Sequence, residues 1–168
     1  MIRSAHPSDL TGLADIERSA AERFLGTAMA WAADGAPLPH TELAQAQTAG
    51  LLWVAQPDDH VRGFALARPM GGDLFLAEMS VALPWQGRGL GRALMQVVLA
   101  HARAMDRYGA VVLTTDRELP WNAPFYRRLG FAELAEPYSP PLQARLHAEA
   151  AAGFDPARRC AMRYPLNV

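Results

Sequence analysis

The feature that most constrains the fold is a set of three apolar segments joined by very short turns. The segments cover residues 51–56, 61–68 and 74–83, and the turns between them read Pro-Asp-Asp at 57–59 and Gly-Gly at 71–72. Strands joined by turns this short lie beside each other in opposite directions. The sequence therefore predicts an antiparallel three-stranded meander in the middle of the chain.

After the meander the spacing of the apolar residues changes from that of a strand to that of a helix. Between Gly89 and Tyr108 they recur every three or four positions, and Gly109 is expected to end the helix. The pattern predicts an α/β fold, with a mixed and mostly antiparallel sheet flanked by helices, as a single domain over residues 1–168. Further strands are expected at 2–5, 110–115, 131–134 and 159–164, and further helices at 41–47, 122–129, 140–152 and from a cap at Ser8 onward.

Composition excludes several classes of protein. The chain has 168 residues, a net charge of −1 and one cysteine, Cys160. A near-neutral charge gives no reason to expect nucleic acid as a partner, and one cysteine forms no internal disulfide. No apolar run approaches the roughly 18 residues that cross a bilayer, and the first residues lack the apolar stretch of a secretory signal. We therefore expect a cytoplasmic protein without a membrane partner.

A glycine-rich segment, residues 86–91, follows the third strand and is named the glycine loop here. It reads Gln-Gly-Arg-Gly-Leu-Gly and leads directly into the predicted long helix. The first N–H groups of a helix have no partner within it and favour anions, and glycine lets the backbone approach a phosphate closely. Arg88 and Arg92 add positive charge. The loop predicts a phosphate site, although a glycine-rich turn that merely begins a helix explains the same residues.

Two common nucleotide-binding motifs do not match the glycine loop. A Walker-type loop needs lysine and then serine or threonine after its last glycine, but Arg92 and Ala93 follow Gly91. The dinucleotide fingerprint Gly-x-Gly-x-x-Gly needs a third glycine where Arg92 or Leu94 stands. The loop alone does not identify the ligand.

Two elements taken together resemble the GNAT N-acetyltransferase superfamily. The first is the signature Gln/Arg-x-x-Gly-x-Gly/Ala between an apolar strand and a long helix, matched by Gln86, Gly89 and Gly91. The second is an asparagine followed by a helix that carries a tyrosine and ends in Gly-Phe. Residues 122–131 match it as Asn-Ala-Pro-Phe-Tyr-Arg-Arg-Leu-Gly-Phe. One strand lies between the elements, as in the family, and the resemblance covers residues 51–131.

The resemblance implies that acetyl-CoA is the co-substrate. Its pyrophosphate would accept N–H bonds from residues 87–92, and its pantetheine arm would pair with the strand at 79–81, which in this family splays from the next strand. Asn122 would contact the coenzyme near the pantetheine, and Tyr126 would stand close to the sulfur. The residues implied in binding are Met79, Ser80, Val81, Gln86, Gly87, Arg88, Gly89, Leu90, Gly91, Arg92, Asn122 and Tyr126.

Two residues are candidates for catalysis. With the family pattern, Tyr126 is interpreted as the general acid that protonates the departing thiolate, since a phenol with a pKa of about 10 can supply that proton. Without the pattern, Tyr126 is an amphipathic residue at the edge of the core. Glu78 interrupts an apolar strand, and it is either a base for the amine or a structural ion-pair partner of an arginine.

The resemblance predicts an enzyme that transfers acetyl directly from acetyl-CoA to a small-molecule or peptide primary amine. The alternatives are a non-catalytic acyl-CoA-binding sensor and a toxin-type aminoacyl-tRNA acetyltransferase. The near-neutral charge disfavours the second of these.

The five histidines lack metal-ligand spacing, so no metal is expected. A homodimer is possible through the last strand. Residues that could line the acceptor side are Glu17, Glu22, Arg23, Phe24, Trp31 and the loop 116–121.

Overall fold

The computed structural model describes residues 1–166 and contains a seven-stranded sheet. The strands stand in the order β1-β2-β3-β4-β5-β7-β6 across the sheet. Their bounds are β1 Ile2–Ser4, β2 Leu52–Ala55, β3 Gly63–Met70, β4 Asp73–Val81, β5 Ala110–Asp116, β6 Ala132–Glu133 and β7 Arg159–Pro165.

Within residues 1–166 the structure contains five α-helices and four short 3-10 turns. The helices are α1 Leu10–Ala21, α2 His40–Thr48, α3 Leu90–Ala104, α4 Ala123–Arg128 and α5 Pro140–Ala151. The 3-10 turns are Pro7–Asp9, Glu22–Phe24, Ala30–Asp34 and Leu83–Trp85. Among the helices of residues 1–166, none combines the length and the apolar character needed to cross a membrane.

The sheet is mixed and mostly antiparallel, which confirms the predicted fold class. β1 with β2, β2 with β3, β5 with β7 and β6 with β7 are antiparallel pairs, and β4 with β5 is a parallel pair. The parallel pair results from the crossover through α3, as the change of period predicts. β7 lies between β5 and β6 and is therefore not an edge strand of this sheet, and the homodimer stays a prediction.

The parallel pairing of β4 with β5 is short. The register joins Leu74 to Val111 and Phe75 to Val112, while β4 continues to Val81. β5 by contrast is paired with β7 from Ala110 to Asp116.

Two helix ends differ from the sequence-based predictions. Ser8 does not cap α1; it lies inside the 3-10 turn that Pro7 begins, and Asp9 is the cap residue. Proline favours this start because its fixed φ suits the first position of a helical turn. α3 ends at Ala104 rather than before Gly109, since Asp106 turns the chain with a φ of 46°. Aspartate tolerates this left-handed conformation better than most residues.

The described chain forms two compact units, Met1–Arg68 with Ala77–Ala100, and Pro69–Leu76 with the residues from His101 onward. In the first unit, α1 buries Leu13 and Ile16 against a cluster that includes Val54. In the second unit, Leu113 of β5 and Met162 of β7 are buried register partners. The single domain over residues 1–168 stays a prediction, and its last two residues lie outside the described part.

Candidate functional site

The glycine loop lies in the first unit, between the 3-10 turn Leu83–Trp85 and α3. Gly87 has a φ of 72° and Gly89 a φ of 87°, a backbone region that favours glycine. A Cβ built at either position meets no atom of residues 1–166 within 4 Å, so this surface of the loop is open. The N–H of Ala93 donates to the Gly89 oxygen at 3.0 Å and closes the first helical turn. The first N–H groups of a helix have no partner within it, so the start of α3 favours an anion.

Two arginine side chains lie over the ring of Trp85, the residue that directly precedes the glycine loop. The guanidinium of Arg88 lies 4.8 Å from the centre of the Trp85 ring, and that of Arg62 lies 5.1 Å from it. Arg88 and Arg92 are both exposed to solvent. Two predicted phosphate contacts, Arg88 on the loop and Arg92 in the first turn of α3, therefore carry accessible charges.

Gln86, the first residue of the loop, uses both ends of its side-chain amide. Its Oε1 accepts a hydrogen bond from Nη1 of Arg23 at 2.8 Å, and its Nε2 donates to the Val81 carbonyl at 2.8 Å. The side chain thus joins the end of β4 to the turn that follows α1. This fixes the point at which the chain enters the glycine loop.

The end of β4 carries the second predicted set of site residues. Oε1 of Glu78 accepts the backbone N–H of Met79 at 3.1 Å and the hydroxyl of Ser80 at 2.9 Å. The Met79 N–H is thus bonded to a neighbouring side chain. Glu78 is half-buried, and Ser80 is buried. These bonds hold the Glu78 carboxylate close to the strand.

A second carboxyl group of the first unit, Glu17 on α1, has an unusual environment. Both of its oxygens accept the backbone N–H of Leu38, at 3.0 and 3.2 Å. Burial raises the pKa of Glu17 to about 7, and the negative charge of Glu78 adds to the rise. Glu17 therefore titrates near neutral pH while it holds the segment that precedes α2.

Glu17→Gln is expected to stabilise the protein at pH 8 and to leave it unchanged at pH 4. The native carboxyl keeps its proton between its ordinary pKa of 4.5 and about 7, while the unfolded one loses it. The free energy of unfolding therefore falls as the pH rises through this window and stays lower above it. Glutamine carries no charge and still accepts the Leu38 N–H, so the gain is roughly 1 kcal/mol after screening. Urea unfolding of both proteins at pH 4 and pH 8 measures the difference in unfolding free energy. The same difference at both pH values would contradict the raised pKa of Glu17.

The second unit carries the other family element on α4 and the residue before it. Asn122 precedes the helix, and its backbone oxygen accepts the Tyr126 N–H at 3.1 Å. Both side chains are half-buried. The predicted spacing of one helical turn between them is therefore present.

The ring of Tyr126 belongs to an aromatic row. It meets Phe125 and Phe131 edge-on, with ring centres 5.2 and 5.8 Å apart. Phe131 in turn lies 5.4 Å from Tyr164, whose hydroxyl accepts a hydrogen bond from Arg103 at 2.8 Å. Edge-on contacts of this kind hold a ring in one orientation. The amphipathic environment of Tyr126 is compatible with both interpretations from the sequence.

The loop after β5, predicted to line the acceptor side, is organised by its first residue. Asp116 is buried and accepts the N–H groups of Glu118 and Leu119, both at 2.8 Å. Burial alone would raise the pKa of Asp116, but the guanidinium of Arg158 and the two N–H groups together hold it below its ordinary value. Asp116 therefore shapes this loop as a buried ion-pair partner.

Cys160 behaves as the apolar residue that the sequence predicts. It is buried in β7, and burial raises the pKa of its thiol to about 11. A thiol of this pKa is a poor nucleophile at neutral pH. In the part of the chain that the structure describes, no group of three or more histidine, cysteine, aspartate or glutamate side chains is placed to hold a metal ion.

Within the first unit the structure brings together Glu78, Met79 and Ser80, and it joins Val81 to Gln86. Sequence reasoning missed the contact of Arg23 with Gln86 and that of Glu17 with Leu38. The sequence predicts that Glu17 and Arg23 could line the acceptor side, but it predicts neither of these contacts. No local signal separates such residues from solvated ones, because each partner lies far away in the sequence.

Comparison with known proteins gives one family match. A family model described as an acetyltransferase (GNAT) domain matches residues 48–133, just over half of the 168 residues. The match includes the end of α2, β2 to β5, the glycine loop and α4. It thus covers both elements on which the sequence resemblance rests.

Solved structures share the fold at low sequence identity. A ribosomal-protein-alanine N-acetyltransferase from Brucella melitensis is 21% identical, with a TM-score of 0.69 and 99% of each chain covered. A protein from Salmonella typhimurium, solved with acetyl-CoA as its cofactor, is 21% identical, with a TM-score of 0.70 over 99% of this chain and 94% of that one. An N-acetylglutamate synthase from Neisseria gonorrhoeae, solved with coenzyme A and N-acetyl-glutamate, is 16% identical, with a TM-score of 0.74 over 100% of this chain and 35% of that one.

Proposed function

Because the chain belongs to the GNAT acetyltransferase family, we propose that it transfers an acetyl group from acetyl-CoA to a primary amine. The observation that carries this proposal is the open glycine loop at the start of α3, with positive φ angles at Gly87 and Gly89. The solved relative from Salmonella typhimurium holds acetyl-CoA as its cofactor, which supports the same donor here.

The pyrophosphate of acetyl-CoA would be held by residues 87–92. Their backbone N–H groups lie at the start of a 15-residue helix, where the helix dipole also favours an anion. Arg88 and Arg92 contribute exposed charge, which attracts the phosphates over a distance of about 10 Å at moderate salt. The loop needs no metal for this binding.

The pantetheine arm would be held by the end of β4. Extended ligands add to an open strand edge through backbone hydrogen bonds, and Met79 offers its N–H there. In the protein alone that N–H is bonded to Glu78. Binding of the arm therefore replaces a side-chain acceptor by a carbonyl and releases one bond of the Glu78 carboxylate. The family resemblance assigns Asn122 a contact with the coenzyme near its pantetheine arm.

Acetyl-CoA supplies the acetyl group as a thioester, whose C–S bond breaks as the C–N bond to the amine forms. Glu78 accepts the proton that the amine gives up, directly or through water, and Tyr126 donates its hydroxyl proton to the departing thiolate. No acyl group is attached to the protein. Buried Cys160, the single cysteine, offers no nucleophile for such a step, since its pKa is about 11.

The experiment that tests the function is thiol release from acetyl-CoA in the presence of an amine panel. The panel contains polyamines, amino acids, aminoglycosides and peptides with free N-termini. We expect at least one class to release thiol, and its N-blocked counterpart to release none. Binding of acetyl-CoA without thiol release for any amine would favour the sensor alternative, and the absence of binding would overturn the proposal.

Glu78→Gln is expected to lower kcat/KM for the accepted amine by about 10- to 100-fold at pH 7. Glutamine keeps an acceptor for Met79 and Ser80 but cannot take up a proton. The loss should shrink toward pH 9, because more of the amine is then already deprotonated. Glu42→Gln, at an ion pair with Arg68, is the control. A loss that is the same at all pH values would assign Glu78 a structural role.

A further inference from the structure

Arg23 reaches from the first helical segment to the glycine loop. It lies in the 3-10 turn Glu22–Phe24, which continues directly from α1, and its side chain is half-buried. Its Nη1 donates to Oε1 of Gln86, 63 positions along the chain, at 2.8 Å. Hydrogen bonds from a charged donor are stronger than those between neutral groups. The bond therefore restrains the first residue of the loop more than a neutral contact would.

The bond also decides which way the Gln86 amide faces. With Oε1 directed to Arg23, Nε2 is directed to the Val81 carbonyl, where it donates at 2.8 Å. The backbone N–H of Gln86 donates to Leu83 at 3.2 Å. Gln86 is thereby held by three partners immediately before Gly87. Without Arg23, the side-chain amide of Gln86 can rotate by half a turn, and its Nε2 is then no longer held toward the Val81 carbonyl.

A second bond fixes the same connection to α1. Oγ of Ser19 accepts the backbone N–H of Leu83 at 3.1 Å. The chain from Leu83 to Gln86 is thus attached at both of its ends to the segment 19–23. The two glycines that follow permit many backbone conformations, so the restraint before them matters for the conformation that binds.

We propose that Arg23 is a positioning residue for the cofactor: through Gln86 it preorganises the glycine loop, so that the N–H groups of residues 87–92 converge on one anion. This inference rests on the proposed function, in which that anion is the pyrophosphate of acetyl-CoA. Preorganisation lowers the cost of ordering the loop on binding. Arg23 itself does not need to touch the cofactor.

The same turn contacts the segment 26–39, which contains Trp31, one of the residues predicted to line the acceptor side. The Phe24 carbonyl accepts two hydrogen bonds from Thr27, one from its N–H at 3.1 Å and one from its side-chain hydroxyl at 2.7 Å. The 3-10 turn Glu22–Phe24 also contacts the 3-10 turn Ala30–Asp34. A bound cofactor that holds Gln86 in place therefore also restrains Arg23 and the residues after it. We expect acetyl-CoA to slow amide exchange in residues 26–39.

Arg23→Met is the test, with Arg18→Met as the matched control. Arg18 lies on α1 in an exposed pair with Asp15. Calorimetry with acetyl-CoA is expected to give a Kd raised about 5- to 10-fold for Arg23→Met and unchanged for Arg18→Met, since one charge-assisted bond is lost. Arg23→Lys, which keeps the charge, should lose about half as much on a logarithmic scale. If Arg23→Met does not fold, the Kd of Arg23→Lys tests the inference in its place.

Gln86→Ala separates action through Gln86 from direct contact with the ligand. If Arg23 acts through Gln86, Arg23→Met raises the Kd several-fold in the wild-type background and not in the Gln86→Ala background. In hydrogen–deuterium exchange, acetyl-CoA should protect residues 26–39 in the wild type and not in Arg23→Met. These outcomes are not expected from a merely structural arginine, which changes the melting temperature alone.

Three results would overturn the inference about Arg23. They are an unchanged Kd for Arg23→Met, an equal loss in both Gln86 backgrounds, and full protection of residues 26–39 in the variant. If the wild-type protein does not bind acetyl-CoA, the proposed function fails first. That outcome overturns the inference about Arg23 as well, and it is distinct because the three results above require a wild-type protein that binds.

Discussion

Gly89→Val is expected to weaken acetyl-CoA binding by roughly 30-fold or more. Gly89 has a φ of 87°, where a side chain strains the backbone by about 1–2 kcal/mol and a branched one by more. Valine is expected to relieve that strain by moving the peptide groups on either side of it. Loss of two phosphate hydrogen bonds of about 1–1.5 kcal/mol each then accounts for the change. Titration calorimetry with acetyl-CoA measures it.

Gly50→Val is the matched control for Gly89→Val. Gly50 has a φ of 71° after α2, lies in the same unit, and has as much free space around a built Cβ. Both variants should melt at a lower temperature, because both introduce the same kind of strain. Only Gly89→Val should bind acetyl-CoA weakly. Equal affinity in both variants would show that the glycine loop does not hold the donor.

Tyr126→Phe is expected to lower kcat by about 100-fold while the Kd for acetyl-CoA changes less than about twofold. General acid catalysis contributes roughly 100- to 10,000-fold, and the low end applies because a thiolate is a fair leaving group without a proton. Phenylalanine keeps the edge-on contacts with Phe125 and Phe131, so the packing of the ring is retained. Thiol release under saturating donor and amine gives kcat.

Tyr164→Phe provides the control for the loss of a hydroxyl from the same aromatic row. The Tyr164 ring lies against Phe131, and its hydroxyl bonds to Arg103. Turnover should stay at the wild-type value in this variant. A wild-type rate for Tyr126→Phe would remove Tyr126 from the mechanism and leave it as an amphipathic residue of the row. An equal loss in both variants would point to packing instead of proton transfer.

The sequence predicts most strands and helices because their signals are local. The turns at 57–59 and 71–72 separate the apolar segments of the meander, and Gly50 closes α2 with a positive φ. Ends that depend on a single residue conformation are predicted less well. Asp106 ends α3 earlier than expected by adopting a φ of 46°, and nothing in its neighbours distinguishes it from a helical residue.

The position of β7 is the part of the fold that could not be predicted. Its apolar residues Ala161 and Met162 pair with Thr114 and Leu113, which lie more than 40 positions earlier. A strand that ends a chain is equally suited to an edge or to insertion between two strands. The choice depends on burial of both faces against the remaining sheet, which the sequence of β7 alone does not encode.

For the candidate site, contiguous motifs were predictable and distant contacts were not. Residues 86–91 and 122–131 carry family patterns that can be read directly. The bond between Arg23 and Gln86 and the bond between Glu17 and Leu38 join segments that only the fold brings together. The raised pKa of Glu17 has the same origin, since it depends on burial and on Glu78 in a distant strand.

Mass spectrometry of the products tests the central claim most directly. The protein is incubated with acetyl-CoA and the amine that the panel identifies, and the thiol and the acetylated amine are quantified together. We predict one N-acetylated amine for each thiol released, formed by the wild type and formed about 100-fold more slowly by Tyr126→Phe. Thiol release without acetylated amine, or no release with any amine of the panel, would contradict the assignment as an acetyl-CoA-dependent N-acetyltransferase.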